Sequence, residues 1–503
     1  MKTGESNTST MKTPAEIVKK ARITYNTGRT KSLEFRQSQL EHLLRMFEEN
    51  ENEILEVLKK DLRKADLEAY FTEVALAKND LITQIRNLQE WAAPQKAEKG
   101  LTYFMDEALV YQDPYGLVLI IGAWNYPIQL TIMPFSAAIA AGNAVILKPS
   151  EISSATAEFL ARIIPRYLDN ECYHVFTGGA PETTELLEER FDYIFFTGSA
   201  TVARVVYKAA SKHLTPVTLE LGGKSPVYID ESADMDIAVN RIIWGKCVNA
   251  GQTCVAPDYI LCTEEVEAQF LARAEAAIKK FFGEDPQQSP DYSRIVSDKH
   301  FDRLVKYLRN GALVIGGRND ARDRYIEPSI LINVREDEPV MQEEIFGPIL
   351  PIFRIHDAFD AMYFIAKREK PLALYIFAQD RNVIDKMIEK TSSGGICVND
   401  TLIHVSVPSL PFGGVGQSGM GGYHGKHSFD TFVHKRGALI RSSSKFTEKL
   451  QAIRYPPYSR RNFLLFKRIL KPPLKTHIFD YLPYALVFVL GILVALLVHC
   501  VQW

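Results

Sequence analysis

The feature that most constrains this chain is the run Leu117–Ile121, five consecutive apolar residues with Gly116 before it and Gly122 after it. A strand that is apolar at every position, rather than at alternate ones, must be covered on both faces, and parallel strands are the ones covered that way. The chain beyond it keeps alternating. The pattern predicts a helix over 134–141, a strand over 144–147, a helix over 156–164 and extended chain at 174–176. It then predicts a strand over 193–196, closed by Thr197-Gly198-Ser199, and a helix over 202–211. Strand–helix alternation of this kind predicts a doubly wound parallel α/β sheet. A second alternating region begins at 227–229, with helices over 237–246 and 266–282 and strands over 259–262 and 350–353, which predicts a second α/β domain over 220–407. Upstream, residues 14–64 and 71–91 carry helical periodicity, 95–100 is a polar break, and 109–112 reads as a short strand ended by a turn at 113–116.

The length of 503 residues suggests about two to four domains. A net charge of −2 gives no reason to expect nucleic acid as a partner. The six cysteines have no zinc-site spacing, so no metal is expected, and their sparseness fits a reducing compartment. Residues 1–13 are rich in Ser, Thr and Lys without an apolar stretch, which predicts a disordered extension rather than a signal peptide. The other terminus differs. Residues 481–498 are almost all apolar, about the length needed to cross a bilayer as a helix. Arg460, Arg461, Lys467, Arg468, Lys471 and Lys475 precede them, a flank that faces the cytosol and anionic headgroups.

Chemistry concentrates in two motifs. Small and polar residues from Asn249 to Thr253 crowd Cys254 in Gly-Gln-Thr-Cys, which suits a thiol that another molecule must approach. A thiol is a strong nucleophile only as thiolate, so it needs an activating neighbour or a base. A carboxylate lies upstream, Glu220 in Leu-Glu-Leu-Gly-Gly-Lys. Together the two motifs resemble the aldehyde dehydrogenase superfamily, and the resemblance covers nearly all the chain before the C-terminal tail.

The resemblance implies Cys254 as the nucleophile that adds to an aldehyde carbonyl. The backbone N–H of Cys254 and the side-chain amide of Asn125, in Gly-Ala-Trp-Asn-Tyr-Pro, would hold the oxyanion. Glu220 would be the base that activates water to release the acid, once burial raises it from about 4.3. A thiol hydrolase or a coenzyme A acyltransferase is a competing reading, and acyl transfer to coenzyme A needs no such base. A non-catalytic membrane scaffold, the other competitor, would be expected to lose Cys254, Glu220 or Asn125, and all are present. For the cofactor, Lys148 and Glu151 would reach the adenosine ribose, favouring NAD while admitting NADP. The segment Gly198, Ser199, Ala200, Thr201, Val202 and Ala203 would meet the pyrophosphate at a helix N-terminus. It departs from the family at Ala200, where Thr is common, and at Ala203, where Gly is common. Glu344 and Phe346, in Glu-Ile-Phe-Gly-Pro, would meet the nicotinamide ribose. Phe412 is expected to line the active site, with Tyr126 and His424 near the substrate entrance.

The stretch 419–432 resembles class 3 of the superfamily, and the segment 445–457 the amphipathic gatekeeper of its membrane-bound fatty aldehyde dehydrogenases. The implied architecture is a Rossmann-like NAD-binding domain at 1–90 and 112–219, with the catalytic domain at 220–407. A bridging sheet for homodimer formation would come from 91–111 and 408–439. A gatekeeper and basic linker would occupy 440–479, and a transmembrane helix 480–503. The implied function is NAD-dependent oxidation of medium- to long-chain aliphatic aldehydes, or of a broader aromatic or short-chain set. The implied location is the endoplasmic reticulum membrane or another cytosol-facing one, with the catalytic part in the cytosol.

Overall fold

A computed structural model describes residues 13–100, 103, 105–469, 487–488 and 491–492. The run Leu117–Ile121 is a strand buried along its whole length. It is central in a six-stranded sheet whose spatial order is Gly419–Met420, Val217–Glu220, Tyr193–Thr197, Leu117–Ile121, Ala144–Lys148 and Tyr173–Val175. All neighbours are parallel except the short edge strand Gly419–Met420, which pairs antiparallel to Leu219 and Glu220. Both faces are covered, as the sequence requires. Val118, Ile120, Val145 and Phe195 join one apolar cluster, while Leu117, Leu119, Ile146 and Phe196 join another. The order makes this a doubly wound, Rossmann-like sheet. Strand order reverses between Leu117–Ile121 and Tyr193–Thr197, and ligands in such sheets bind beyond the carboxyl ends of the strands at that reversal.

A seven-stranded sheet carries the second α/β region: Ala312–Ile315, Ser329–Ile332, Ile349–Arg354, Tyr259–Cys262, Pro226–Ile229, Ala373–Phe377 and Gly395–Val398 in spatial order. It too is parallel, apart from the edge strand Ala312–Ile315. Its helices show local sequence logic. Glu264–Phe282 starts where the Thr263 side chain caps Val266 N–H, has three glutamates in its first turn and two lysines in its last, and stops at Gly283 with φ 79°. Each of those choices complements the helix dipole or its unpaired ends.

The chain divides into two units. Residues Met1–Ala92 and Gln112–His434 form the first, with both large sheets. Ala93–Tyr111 and Lys435–Trp503 form the second. A three-stranded sheet of Gln95–Lys96, Glu107–Pro114 and Val433–Ile440 belongs mainly to the second unit. In that unit, the buried Asp106 carboxylate accepts from Arg441 Nε at 3.2 Å. Helices Lys445–Gln451 and Arg460–Ile469 follow the last strand. Among the described residues no helix is long and apolar enough to cross a membrane. The span expected at 481–498 lies outside the described residues, apart from Val487, Phe488, Gly491 and Ile492.

Two elements differ from the sequence reading. The expected turn at 113–116 is partly strand, because Glu107–Pro114 runs on to Pro114, whose carbonyl accepts from the Tyr25 hydroxyl at 3.3 Å. The helix expected to begin at Pro134 begins at Gln129 and carries Pro134 inside it. Its first N–H groups have a distant partner that periodicity does not reveal: Glu73 Oε2 accepts from Ile128 N at 2.8 Å and Gln129 N at 3.4 Å.

A similar remote cap fixes the helix Ser154–Tyr167, which leads away from Lys148 and Glu151. Its own N-cap, Ser153, makes no capping bond. Instead Asp61 accepts from Ala155 N at 3.0 Å, Thr156 N at 2.8 Å and Thr156 Oγ1 at 2.7 Å. Asp61→Ala is therefore expected to destabilise the fold by about 1–3 kcal/mol, read from the chemical-denaturation midpoint.

Candidate active site

Cys254 lies in a tight turn just after the helix Met235–Cys247, closed by Ala256 N donating to the Thr253 carbonyl at 2.9 Å. The preceding residues hold strained backbone: Asn249 and Ala250 have φ of 53° and 51°, and Gly251 has 74°. Strain of this kind persists only where surroundings over-determine it. Here they do. Gln252 donates from Nε2 to the carbonyls of Asn249 and Arg294, both at 2.9 Å, and its Oε1 accepts from Val296 N at 2.9 Å. The Gln of Gly-Gln-Thr-Cys is thus an architectural residue. Gly251 is needed for close approach, since a Cβ there would sit 2.3 Å from the Gly347 carbonyl oxygen. That contact brings the nucleophile loop against the Glu-Ile-Phe-Gly-Pro segment.

Asn125 comes from the turn after Leu117–Ile121, at the reversal point of the first sheet. It is buried, and its Nδ2 donates to the Gln252 carbonyl at 3.1 Å, two residues before Cys254. Tyr126 packs beside it, its hydroxyl 2.6 Å from Thr253 Oγ1. Glu220 ends the strand Val217–Glu220. Its carbonyl accepts from Gly198 N at 3.0 Å, tying it to the loop that opens the helix Ala200–Ser211. The Glu220 carboxyl is 2% exposed, and neither oxygen has a hydrogen-bond partner among the described residues. Burial raises it well above the usual carboxylate range. Burial, with the Glu344 and Glu220 carboxyls adding to it, pushes the Cys254 thiol up to about 12. The Cys254 thiol therefore holds its proton at neutral pH.

The residues expected to hold a dinucleotide gather around the same reversal point. Lys148 ends the strand beside Leu117–Ile121, and its Nζ meets Glu151 Oε2 at 2.5 Å. Ser199 caps the helix Ala200–Ser211, accepting from Val202 N at 3.4 Å. Ala203 is buried in the apolar cluster with Val206, Ala210 and Leu219, so its extra methyl is absorbed by the core. Thr201 and Val202 are exposed, and Ala200 is half-buried. Phe346, at φ 53°, stands edge-on to Trp124 with ring centroids 5.3 Å apart. Glu344 lies close to Gly222, where a Cβ would fall 2.3 Å from its carboxyl oxygens. Its Oε1 has no partner among the described residues, and neither has the buried Thr197 Oγ1. Buried acceptors without partners at a sheet reversal, beside a helix N-terminus, fit a bound dinucleotide. Among the described residues no cluster could hold a metal ion.

In front of Cys254 opens a cavity of about 640 Å³, its mouth included. Its walls are mostly apolar: Phe71, Leu76, Trp244, Leu402, Ile403 and Val405. Tyr126 and Phe412 line it as expected from the sequence. His424 does not reach it. The imidazole is buried behind Phe412, stacked on that ring at 5.0 Å and 14°, and its neighbour Tyr423 lines the cavity instead. Tyr423, Lys64 and Glu73 escaped the sequence reading. A lone tyrosine beside histidine and two lone charges in a helical stretch carry no spacing signal.

The electrostatics make a test. Burial and then Asp258 push Glu344 up to about 8, so below that pH it is neutral and exerts no charge on Cys254. Above it, the carboxylate forms and holds the thiolate back. Alkylation of the cofactor-free protein by iodoacetamide should run alike in wild type and Glu344→Gln at about pH 7. At about pH 9.5 the variant should be faster, and equal rates there contradict this coupling.

A model of the aldehyde dehydrogenase family matches residues 2–436. The Rattus norvegicus protein named aldehyde dehydrogenase, dimeric NADP-preferring, is 51% identical over 447 residues, covering 89% of this chain and 98% of its own. Aldehyde dehydrogenase family 3 member A2 of Macaca fascicularis is 47% identical over 487 residues, covering 96% of this chain and 98% of its own. Among solved structures, the substrate-bound state of Staphylococcus aureus AldH superposes with a TM-score of 0.88 at 43% identity, covering 92% of this chain and 100% of that one.

Proposed function

The chain belongs to the aldehyde dehydrogenase family as an NAD- or NADP-dependent oxidoreductase akin to its class 3 members, and from that premise we propose that it oxidises medium- to long-chain aliphatic aldehydes to acids through Cys254. The observation that carries this reading is the apolar cavity that ends at Cys254 with a buried, unpartnered Glu220 close enough to influence the thiol. An alkyl chain gains about 0.8 kcal/mol for each methylene buried in such a wall, while a charged or strongly polar tail finds few partners there.

Cys254 Sγ adds to the carbonyl carbon as its proton passes to water, and the C=O π electrons move to the oxygen, which becomes an oxyanion. Cys254 N–H and Asn125 Nδ2 are the donors assigned to it, and preformed donors in a water-poor site are worth far more than in water. A bound nicotinamide supplies the acceptor for the aldehydic hydride, and Lys148, Glu151, the Gly198–Ala203 segment, Glu344 and Phe346 are the residues assigned to hold it. Cys254 is left as a thioester. Glu220, as carboxylate, then takes a proton from water as that water's oxygen attacks the thioester carbon; the C–S bond breaks, the acid leaves, and Glu220 returns the proton to Cys254. Of the two cofactors, NAD is the one the Glu151 carboxylate favours, since it would repel a 2′-phosphate. The rat relative, by its name, prefers NADP.

We read the first sheet as the cofactor domain, the second as the catalytic domain and the three-stranded sheet as a bridging element of a homodimer. The rat relative is dimeric by name. The apolar run at 481–498 is assigned as a membrane anchor of about 27 Å, which suits a thin bilayer such as that of the endoplasmic reticulum. Two observations support it. The match to the macaque relative covers 96% of the chain, which cannot be reached without residues of the tail. The helix Arg460–Ile469 exposes Phe463, Leu464 and Leu465 beside Arg460, Arg461, Lys467 and Arg468, a composition suited to an anionic surface.

On a series of linear aldehydes, kcat/KM should rise about fourfold per added methylene until the cavity is filled; a flat series sinks the long-chain assignment. Cys254→Ser should abolish turnover, because a hydroxyl ionises far less than a thiol. Glu220→Gln should still give a burst of reduced cofactor in stopped flow, followed by a steady rate lowered about 10²- to 10⁴-fold. Loss of burst and steady rate in equal measure counts against its role in deacylation. The full-length chain should sediment with membranes, with its catalytic part open to added protease. Deletion of residues 480–503 should release an active, soluble enzyme, and a full-length protein already in the soluble fraction refutes the anchor.

A further inference from the structure

Asn125 sits in a turn between the strand Leu117–Ile121 and the helix Gln129–Ala141. That turn is gripped near both ends by a single ion pair from a distant part of the chain. Lys64, fully buried, donates from Nζ to Glu73 Oε1 at 2.5 Å and to the Asn125 carbonyl at 2.9 Å. Glu73, also fully buried, turns its other oxygen to the N–H groups of Ile128 and Gln129. Asn249 Nδ2 donates to the same Asn125 carbonyl at 2.9 Å, so that oxygen is held from two sides. The Lys64 ammonium also lies 4.0 Å from the centroid of the Tyr126 ring, whose hydroxyl bonds to Thr253, the residue before Cys254. Glu73 reaches this position from a five-residue π-helical turn, Tyr70–Val74. Such turns are rare and concentrate at functional sites.

A buried ion pair is a poor stabiliser, because desolvating both charges offsets most of their attraction. The distinctive effect of this pair is to fix a backbone carbonyl and a helix start within one short turn. We propose that Lys64 and Glu73 are positioning residues that clamp the Asn125 turn and so hold the Asn125 amide against the Cys254 loop, where its Nδ2 donates to the Gln252 carbonyl. The clamp rests on the role assigned to Asn125 above. It acts through Asn125 and touches neither substrate nor cofactor.

The test separates positioning from stability. Replacing both partners, Lys64→Met with Glu73→Met, removes the charges together and leaves an apolar contact of similar volume, so no charge is left buried and unpaired. That variant should melt below wild type, because Ile128 N and Gln129 N lose their acceptor, yet fold and keep its affinity for NAD, while kcat/KM falls about tenfold to a hundredfold. Introduced into Asn125→Ala, the same pair of changes should cost nothing further in kcat/KM. Recovery of activity along with stability overturns the clamp, and so do losses that multiply with that of Asn125→Ala. If Asn125→Ala alone leaves kcat/KM unchanged, the role of Asn125 fails, and that outcome is told apart because it needs no change at Lys64. Should the double variant not fold, Glu73→Gln, which keeps the shape and loosens Lys64, reads the same coupling to Asn125.

Discussion

Burial of one sheet on both faces organises the rest of this protein. Once Leu117–Ile121 is covered by apolar clusters on either side, its side chains are committed to packing. Chemistry can then enter only at the strand ends. The turn after Ile121 carries Asn125, the turn after Thr197 opens the helix Ala200–Ser211, and the end of Val217–Glu220 is Glu220 itself. The geometry of the reversal point therefore places an amide, a helix N-terminus and a carboxylate at one edge without any loop having to reach far. Cys254 and Glu344 come from the second α/β region and meet that edge where glycine removes the Cβ that would keep them apart. Gly222 lies against the Glu344 carboxyl and Gly251 against the Gly347 carbonyl.

The same burial sets the protonation of the site. Glu220 and Glu344 are both pushed up by desolvation, and the Cys254 thiol is pushed up by desolvation and by those two carboxyls. In a water-poor site, neighbouring acids cannot all ionise, so the charge on one is always at the expense of another. Such a site disfavours standing charge on these groups. Charge pairs are kept behind the site, at Lys64–Glu73 under Asn125 and at Lys224–Asp258 near Glu344, where each is matched at 2.5 Å and bonded to backbone.

Much of this was legible in the residues. A fully apolar run bounded by glycines can only be an interior strand, and its neighbours repeat the pattern closely enough to give the sheet. Gly-Gln-Thr-Cys and Leu-Glu-Leu-Gly-Gly-Lys pointed to Cys254 and Glu220 because a thiol among small residues and a carboxylate among leucines are costly unless used. Other features had no local trace. The helix at Gln129 starts five residues before Pro134 because Glu73, far upstream, satisfies its first N–H groups. Ser154–Tyr167 starts where it does because of Asp61. Tyr423 rather than His424 faces the cavity because of the backbone at that point, where His424 has φ 84° and stacks behind Phe412.

The sequence by itself determined the sheets, the motifs and the residue proposed as nucleophile, since these follow from hydrophobic period and from chemistry within a few residues. Only the tertiary structure decided which groups hold the site in register and which protons it carries. Lys64 and Glu73 in isolation are two charges in a helical stretch, and water would be their default partner. Their meeting under Asn125, and the loss of water around Glu220, Glu344 and Cys254, depend on chain segments far apart in sequence. Desolvation is a property of the assembled surroundings, and no residue carries it alone.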